Sequence, residues 1–178
     1  MNPSKRMRSL ERSLPMQLML AREAVMQRFR PHLNARGLTE QQWRIIRVLN
    51  EVDEIEIVEL GKNCCLHAAS LSRILPKLEE EGLITRRSHR NDQRRVVVSL
   101  AAKGRRLFES LAPQSEAIYA ALAREIGPAK LEQIYSLLED MISILAKSRV
   151  KRRTAAVRMR VPIRRTRIVR PKRGAAKE

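Results

Sequence analysis

The first apolar pattern of the chain is that of an amphipathic helix. Ser13 can cap such a helix, and Pro15 is tolerated in its first turn. One helical face is then marked by recurring apolar residues, which are Leu14, Leu18, Ala21, Val25 and Phe29. Pro31 is expected to kink or end this helix, because proline has no backbone donor and its ring crowds the preceding turn.

Three further helices are predicted before residue 83. Thr39 and Gln42 have the spacing of a capping box, in which each side chain satisfies a backbone donor at the start of a helix. A short helix is expected over residues 57–63, and after a turn another over residues 68–81, which Gly82 stops.

The next pattern changes from helix to strand and back. Two β-prone runs, residues 83–87 and 95–99, surround a polar loop and predict a hairpin. Residues 101–126 are helical in pattern again, with an expected interruption at Pro113. The last helix follows Gly127 and carries a short seam suited to a partner helix, formed by Leu131, Ile134, Leu138, Met141 and Leu145. We expect a mainly α fold with a small β-hairpin, an α+β arrangement of the winged helix-turn-helix type.

Charge is concentrated at the C-terminal end. The chain has 37 basic and 19 acidic residues, a net charge of +18. Residues 149–178 hold 13 Lys and Arg against Glu178 alone, which leaves +6 for residues 1–148. This tail has no amphipathic period and is expected to be disordered. It suits any polyanion, and either a non-specific DNA anchor or a solubilising extension would explain it.

Several classes of protein are disfavoured. No run approaches the roughly 20 apolar residues that span a bilayer, and residues 1–14 do not resemble a signal peptide, so a cytoplasmic protein is expected. Cys64 and Cys65 are adjacent, which is no disulfide framework, and the three histidines lack zinc-site spacing. Catalytic carboxylate pairs, activated nucleophiles and Gly-rich phosphate loops are not found. We therefore expect neither an enzyme nor a metal or cofactor.

The helix over residues 68–81 has a face suited to DNA. Its apolar side would pack on the domain, while Ser70, Arg73 and Lys77 share another face, and Ser72 lies beside them. Hydroxyl and cationic donors near the start of a helix are suited to base edges in the major groove. An ordinary solvated face is the alternative, and the arginines of the following hairpin disfavour it. These are Arg86, Arg87, Arg90, Arg94 and Arg95.

Three segments of the sequence resemble the MarR family of transcriptional regulators. They are LTEQQW at 38–43, LEEEGLI at 78–84, and NDQRR with VVVSL at 91–100. Residues 14–31 add a resemblance to the regulators of aromatic-acid catabolism typified by the homoprotocatechuate operon repressor.

The resemblance implies a homodimer on a pseudo-palindromic operator. Residues of about 38–100 would form the DNA-binding lobe, and residues 10–37 and 101–148 the dimerisation helices. The recognition helices would enter major grooves and the wings minor grooves. Arg94 matches the wing arginine of the family's Asp-x-Arg motif, and Asp92 the acid that braces the wing. Two departures are Pro76 inside the recognition helix and Ala101 at a position where the family has a Thr or Ser cap.

Arg22 indicates a site for a small anion. It lies along the apolar stripe of the first helix, where an unpaired cation would be costly. A small aromatic carboxylic acid, bound through two parallel hydrogen bonds, would satisfy it, and so would an intersubunit salt bridge. Trp43 is either an aromatic wall of the same pocket or plain core. Ser13, Gln17 and His32 are further candidates for ligand contacts. A bound acid would release DNA by favouring another spacing of the recognition helices.

Two other functions stay open. Cys64 and Cys65 would suit a redox-sensing regulator of the same fold, provided that a thiol is exposed and readily deprotonated. A non-specific basic protein that binds nucleic acid through charge alone is the second alternative, and it predicts affinity that disappears with residues 149–178.

Overall fold

Six α-helices, a 3-10 helix at Leu10–Arg12 and three strands form the chain over the residues that the structure describes. This computed structural model describes residues 9–89 and 92–158, and their side chains over 9–88 and 95–147. The elements are α1 (Leu14–Asn34), α2 (Glu40–Asn50), β1 (Ile55–Glu56), α3 (Ile57–Asn63), α4 (Ala68–Glu80), β2 (Ile84–His89), β3 (Asp92–Leu100), α5 (Ala102–Ile126) and α6 (Pro128–Arg158). The predicted fold class, mainly α with a small β-hairpin, is confirmed.

The hairpin belongs to a three-stranded antiparallel sheet of order β1-β3-β2. β2 and β3 form the predicted hairpin, with Ile84 opposite Leu100. β1 lies along the other edge of β3, with Ile55 opposite Val98. β1 was not predictable from the sequence, because a strand of two residues has no measurable periodicity.

Prolines inside helices do not end them. α1 continues through Pro31 to Asn34, and α5 is one helix through Pro113. The predicted interruption at Pro113 is therefore wrong, and Pro31 does not end α1. A proline inside a helix costs about 3 kcal/mol, and burial offsets it: Leu33 and Leu111, each within two residues of a proline, are completely buried. Likewise α4 continues through Pro76 to Glu80.

The last helix is longer than predicted. α6 extends to Arg158, ten residues past the expected end of order at Ser148. Residues 149–158 are rich in Ala, Arg and Lys and contain neither Gly nor Pro, the two residues that oppose a helix most strongly. Helix α6 thus includes residues 149–158. The disorder expected of the tail stays a prediction, and residues 159–178 lie outside the described residues.

The chain divides into two compact units between Glu125 and Ile126.

One core in the first unit positions the helix-turn-helix. Ile45 and Ile46 of α2, Leu60 of α3, Leu75 of α4 and Val98 of β3 are completely buried in one cluster. The capping box is confirmed, since the Gln42 backbone N–H donates to Thr39 Oγ1 and the Thr39 N–H to Gln42 Oε1. Because α2, α3 and α4 share this core, one face of α4 is fixed inward.

One glycine ends α4, and a second lets α5 approach the hairpin closely. Gly82 follows the helix with φ +70°, a left-handed conformation that glycine adopts without strain. The Leu83 N–H then donates to the Leu78 carbonyl at 2.9 Å. Gly104 lies in the first turn of α5, where a Cβ atom would be 2.8 Å from Leu100 Cδ1. The backbone of α5 therefore packs directly on the start of the hairpin.

Candidate nucleic-acid interface and ligand cleft

The outward face of α4 carries the predicted DNA-contacting residues. Leu71, Leu75 and Leu78 are buried, which turns the opposite side of the helix to solvent. There Ser72, Arg73 and Lys77 are exposed, while Ser70 is half-buried. This face is a row of hydroxyl and cationic donors.

The side chains on this face differ in whether they already form hydrogen bonds or ion pairs within the chain. Ser72 Oγ donates to the Ala69 carbonyl at 3.0 Å, and Lys77 Nζ lies 4.0 Å from Glu81 Oε1. Arg73 makes no hydrogen bond or ion pair with any residue that the structure describes. Of the two cations on this face, Arg73 can therefore bind a new acceptor at the lower cost, since Lys77 already has an acid within 4.0 Å.

The hairpin arginines whose side chains the structure describes are each paired with an acidic residue. Arg86 Nε and a terminal nitrogen donate to Glu79 Oε2 at 2.8 and 2.5 Å, and this hydrogen bonding lowers the pKa of Glu79. Arg87 forms an ion pair with Glu54.

Arg95 is likewise paired with Glu56. The side chains of Arg90, Asp92 and Arg94 lie outside the described residues. The predicted basic hairpin is therefore held, where its side chains are described, in ion pairs with α4 and with the β1 segment.

A cleft of about 150 Å³ opens between α1, α2 and α5. Val25, Met26 and Phe29 form its apolar side. Its remaining lining residues are polar or aromatic, namely Arg22, Glu40, Trp43, Arg44, Arg47 and Tyr119. The cleft thus combines an apolar and aromatic surface with cations.

The aromatic residues of the cleft are fixed by contacts of their own. Trp43 is 6% exposed and stacks on Phe108 with ring centroids 5.6 Å apart. Tyr119 packs against Phe29 at 4.9 Å and accepts a hydrogen bond from Arg47 at 2.7 Å between the guanidinium nitrogen and Oη. Trp43 is consequently both core and wall, and the two interpretations of it are not exclusive.

An ion network borders the cleft. Glu40 accepts hydrogen bonds from Arg22 and, at 2.6 Å, from Arg30 Nε. Arg30 also bonds both oxygens of Glu23. Burial raises the pKa of the Glu40 carboxyl, but the bonds from Arg30 and Arg22 outweigh it and leave that pKa below its ordinary value. Arg22, 49% exposed, thus has an acid of its own chain as partner.

Comparison with known proteins places this geometry in a family. The MarR family model matches residues 38–96. The HTH-type transcriptional regulator FarR of Neisseria gonorrhoeae is 39% identical over 135 residues, which is 76% of this chain and 90% of that protein. The chain belongs to the MarR family.

Two further MarR relatives support the assignment. The homoprotocatechuate degradative operon repressor of Escherichia coli is 37% identical over 132 residues, 74% of this chain and 89% of that protein. The crystal structure of NadR in complex with 4-hydroxyphenylacetate has a TM-score of 0.70 at 35% identity, over 76% of this chain and 98% of NadR. The predicted family, fold and role as a transcriptional regulator are confirmed.

The predicted ligand residues are only partly brought together in this MarR chain. Arg22 and Trp43 line one cleft, whereas Ser13, Gln17 and His32 do not. Gln17 Nε2 donates to the Glu11 carbonyl at 3.1 Å, beside Ser13 at the start of α1. His32 is buried, with Nε2 3.2 Å from Ser115 Oγ.

Sequence reasoning missed four polar groups of the cleft: Glu40, Arg44, Arg47 and Tyr119. The signal for three of them was present in α2, where Glu40, Arg44 and Arg47 follow each other at spacings of four and three around Trp43. Such spacing is equally typical of a solvated helix face. Tyr119 gave no signal, since it lies 72 positions from Arg47.

The cysteines differ sharply. Cys64 is completely buried, and its burial raises the pKa of the thiol to about 11. Cys65 is exposed and has φ +49°. A buried thiol with a raised pKa is a poor nucleophile, so the redox alternative would depend on Cys65. Among the described residues, no group of three or more metal-binding side chains is found, and no helix is long and apolar enough to cross a membrane.

Proposed function

We propose that this MarR-family chain is a homodimeric repressor that a small aromatic carboxylic acid releases from a pseudo-palindromic operator. Its target genes would serve the breakdown of aromatic compounds, and it would act on DNA in the cytoplasm. The observation that carries the proposal is the cleft between α1, α2 and α5, in which an apolar and aromatic surface meets three arginines.

The shape and chemistry of the cleft favour a one-ring acid. Drug-sized ligands occupy roughly 300–1,000 Å³, and this cleft is about 150 Å³. A flat ring suits the space between Trp43 and the apolar side of α1. The carboxylate of the acid would pair with an arginine, because a guanidinium can donate two parallel hydrogen bonds to it. Arg22 would first have to leave Glu40, whereas Arg47 is held by a neutral phenol.

The relatives support an effector of this class. NadR, 35% identical to this chain, was crystallised with 4-hydroxyphenylacetate, and a relative at 37% identity is named for a homoprotocatechuate operon. We propose that Arg22, Arg44, Arg47 and Trp43, which all line the cleft, contact the acid. Ser13, Gln17 and His32 stay predictions.

For DNA, we propose that α4 enters the major groove with Ser70, Ser72, Arg73 and Lys77. Arg90, Arg94 and Arg95 of the hairpin would reach the flanking minor groove, where the potential favours arginine, with Asp92 as the brace of the wing. The free guanidinium of Arg73 would carry most of the base readout.

Dimerisation would cover exposed apolar residues at both ends of the described chain. Leu14, Met19 and Leu20 are more than half exposed at the start of α1, as are Leu137 and Leu145 in α6. Exposed apolar residues grouped in this way mark interaction surfaces. A second copy of the chain is the proposed partner, and the molar mass in solution, by light scattering, tests it.

The DNA-binding part is tested by selecting duplexes from a randomised pool with the full-length protein. A two-fold symmetric motif is expected. Arg73→Ala should relax the base preference, with each base contact that is removed worth about 1–3 kcal/mol. If the full-length protein enriches no motif, the repressor proposal is wrong.

The ligand part uses 4-hydroxyphenylacetate as the probe. Added to the protein on its selected duplex, it should release DNA, and Arg22→Gln should shift release to higher concentrations. Arg28→Gln is the matched control, because Arg28 lies on the same helix, pairs with Glu125 and is outside the cleft. Equal shifts in both variants would remove Arg22 from the site.

A charge-driven, non-specific protein is the main rival. A chain ending at Arg158 keeps every described helix and omits eight basic residues and one acid. We expect it to retain the selected motif and to show a shallower dependence of affinity on salt, by about 0.9 log unit for each phosphate that is no longer neutralised. Loss of the motif itself would favour the rival.

For the redox alternative, the supporting result would be that peroxide releases the wild type from DNA but does not release Cys65→Ser.

A further inference from the structure

Arg44 belongs to the cleft and also reaches the helix-turn-helix. It follows Trp43 on α2 and is half-buried among the lining residues. One of its terminal nitrogens donates to the Cys64 carbonyl at 2.7 Å. In return, the Cys64 thiol lies 3.8 Å from the Arg44 carbonyl oxygen. A single side chain thus joins the cleft to the end of α3.

The carbonyl that Arg44 holds is at the start of the turn before α4. The Cys65 N–H donates to the Lys62 carbonyl and the Leu66 N–H to the Gly61 carbonyl, at 3.1 and 2.8 Å. Cys65 has a left-handed φ of +49°, which a non-glycine residue adopts only when its surroundings impose it. The direction in which α4 leaves this turn depends on contacts that fix the turn, and Arg44 supplies one of them from outside it.

We infer that Arg44 couples the cleft to the DNA-binding helix. An effector carboxylate in the cleft would compete with the Cys64 carbonyl for the Arg44 guanidinium. When the guanidinium turns to the carboxylate, the turn is no longer bonded to α2, and α4 is no longer held in its DNA-binding position. This inference rests on the proposed function, namely on an aromatic acid that binds in the cleft.

The competition favours the acid on chemical grounds. A carboxylate is charged and accepts two parallel hydrogen bonds from a guanidinium, whereas the Cys64 carbonyl is neutral and accepts one. The other arginines of the cleft do not offer this route. Arg22 is bonded to Glu40 and Arg47 to Tyr119, and neither partner belongs to the helix-turn-helix.

The test measures a coupling factor, defined as the ratio of the duplex Kd with saturating 4-hydroxyphenylacetate to the Kd without it. The duplex is the one that the full-length wild type selects, and its Kd is read by fluorescence anisotropy. Occupancy of the cleft is read separately, from the emission of Trp43, which is the single tryptophan of the chain and lines the cleft.

The wild type should show a factor of about 5–150, the usual range for coupled sites. Arg44→Gln removes the bond to the Cys64 carbonyl permanently. Its Kd for the duplex without acid should therefore already lie near the acid-bound Kd of the wild type, and acid at full occupancy should change it by no more than about twofold. Arg47→Gln is the matched control, because Arg47 lines the same cleft without contacting the turn. This variant should need a higher concentration of acid to fill the cleft, but its coupling factor at saturation should equal that of the wild type.

Two measurements keep the test decisive if Arg44→Gln folds poorly. Arg44→Lys retains one charged group and should give an intermediate factor. Hydrogen exchange of the amides from Cys65 to Ser70 should rise when the acid binds to the wild type.

A wild-type factor in Arg44→Gln overturns the inference, and so does unchanged exchange in the turn. If Trp43 of the wild type reports no binding at all, the ligand part of the proposed function fails, and the inference fails with it.

Discussion

Gly104→Ala adds one methyl group where α5 has no room for it. The added Cβ would lie 2.8 Å from Leu100 Cδ1 and 3.1 Å from the Leu83 carbonyl carbon, and closer still to the Leu83 oxygen. That oxygen already accepts a hydrogen bond from the Ala101 N–H at 3.0 Å. The Leu100 methyl can rotate away. The Leu83 peptide cannot move as easily, because its N–H bonds to Leu78 and its carbonyl to Ala101.

Two effects of opposite sign decide the magnitude. Replacing glycine by alanine inside a helix stabilises it by about 0.5–1 kcal/mol. Overpacking a filled site costs about 1–3 kcal/mol, and the upper end applies because the clash is with fixed backbone. A net destabilisation of about 2 kcal/mol is expected. For a chain of this size that corresponds to a fall in Tm of about 4–8 °C.

The assay is urea and thermal unfolding at one fixed protein concentration, since a dimer's stability depends on it. Gly61→Ala is the matched control: Gly61 is also helical, yet its added Cβ would meet Leu66 O and Leu71 Cδ1 only at 3.1 Å. It should be destabilised by less than about 1 kcal/mol. If Gly104→Ala is as stable as the wild type, or more stable than Gly61→Ala, the close approach of α5 is wrong.

Three further changes test the cap of α5, the ion network and the hairpin. Ala101→Ser should raise the free energy of unfolding by about 1 kcal/mol, because Ala101 precedes α5 and a serine there can accept a backbone N–H of the first turn; an unchanged Tm would contradict this. The lowered pKa of Glu40 means that its contribution to stability is complete above the ordinary value of 4.5 and is lost as the pH falls through the lower folded pKa. Glu40→Gln should therefore flatten the fall in Tm below pH 4.5, and an equally steep fall would show that other groups cause it. Glu56→Gln should free Arg95, tighten binding to a scrambled duplex at low salt and steepen its salt dependence by up to about 0.9 log unit; identical titrations would place Arg95 away from DNA.

The sequence predicted those features that depend on neighbouring residues. The capping box of Thr39 and Gln42, the glycine end of α4 and the leucine face of α4 each involve residues no more than seven positions apart. The outward position of Arg73 and Lys77 followed from that face. The apolar pattern also predicted the order of the elements, and the segments around 38–43 and 78–100 predicted the family.

Features decided by tertiary packing were not predictable in this way. Pro113 has the local chemistry of a helix breaker, and only the burial of Leu111 shows why α5 continues. In α1 the same apolar stripe faces solvent at Leu14 and the core at Phe29. His32 and Arg22 therefore face different partners, although both looked like candidates for one pocket.

The cleft and the outward face of α4 are built from separate parts of the chain. Every described lining residue comes from α1, α2 or α5, whereas Ser70, Arg73 and Lys77 belong to α4. Under the proposed function, a descendant could thus acquire a new inducer by substitutions such as those at Val25 without altering the promoters that it recognises. The reverse exchange, a new promoter for an old inducer, would be confined to α4 and the hairpin. Under the same proposal, these are two separate sets of positions for the engineering of biosensors, and Arg44 is the residue that couples them.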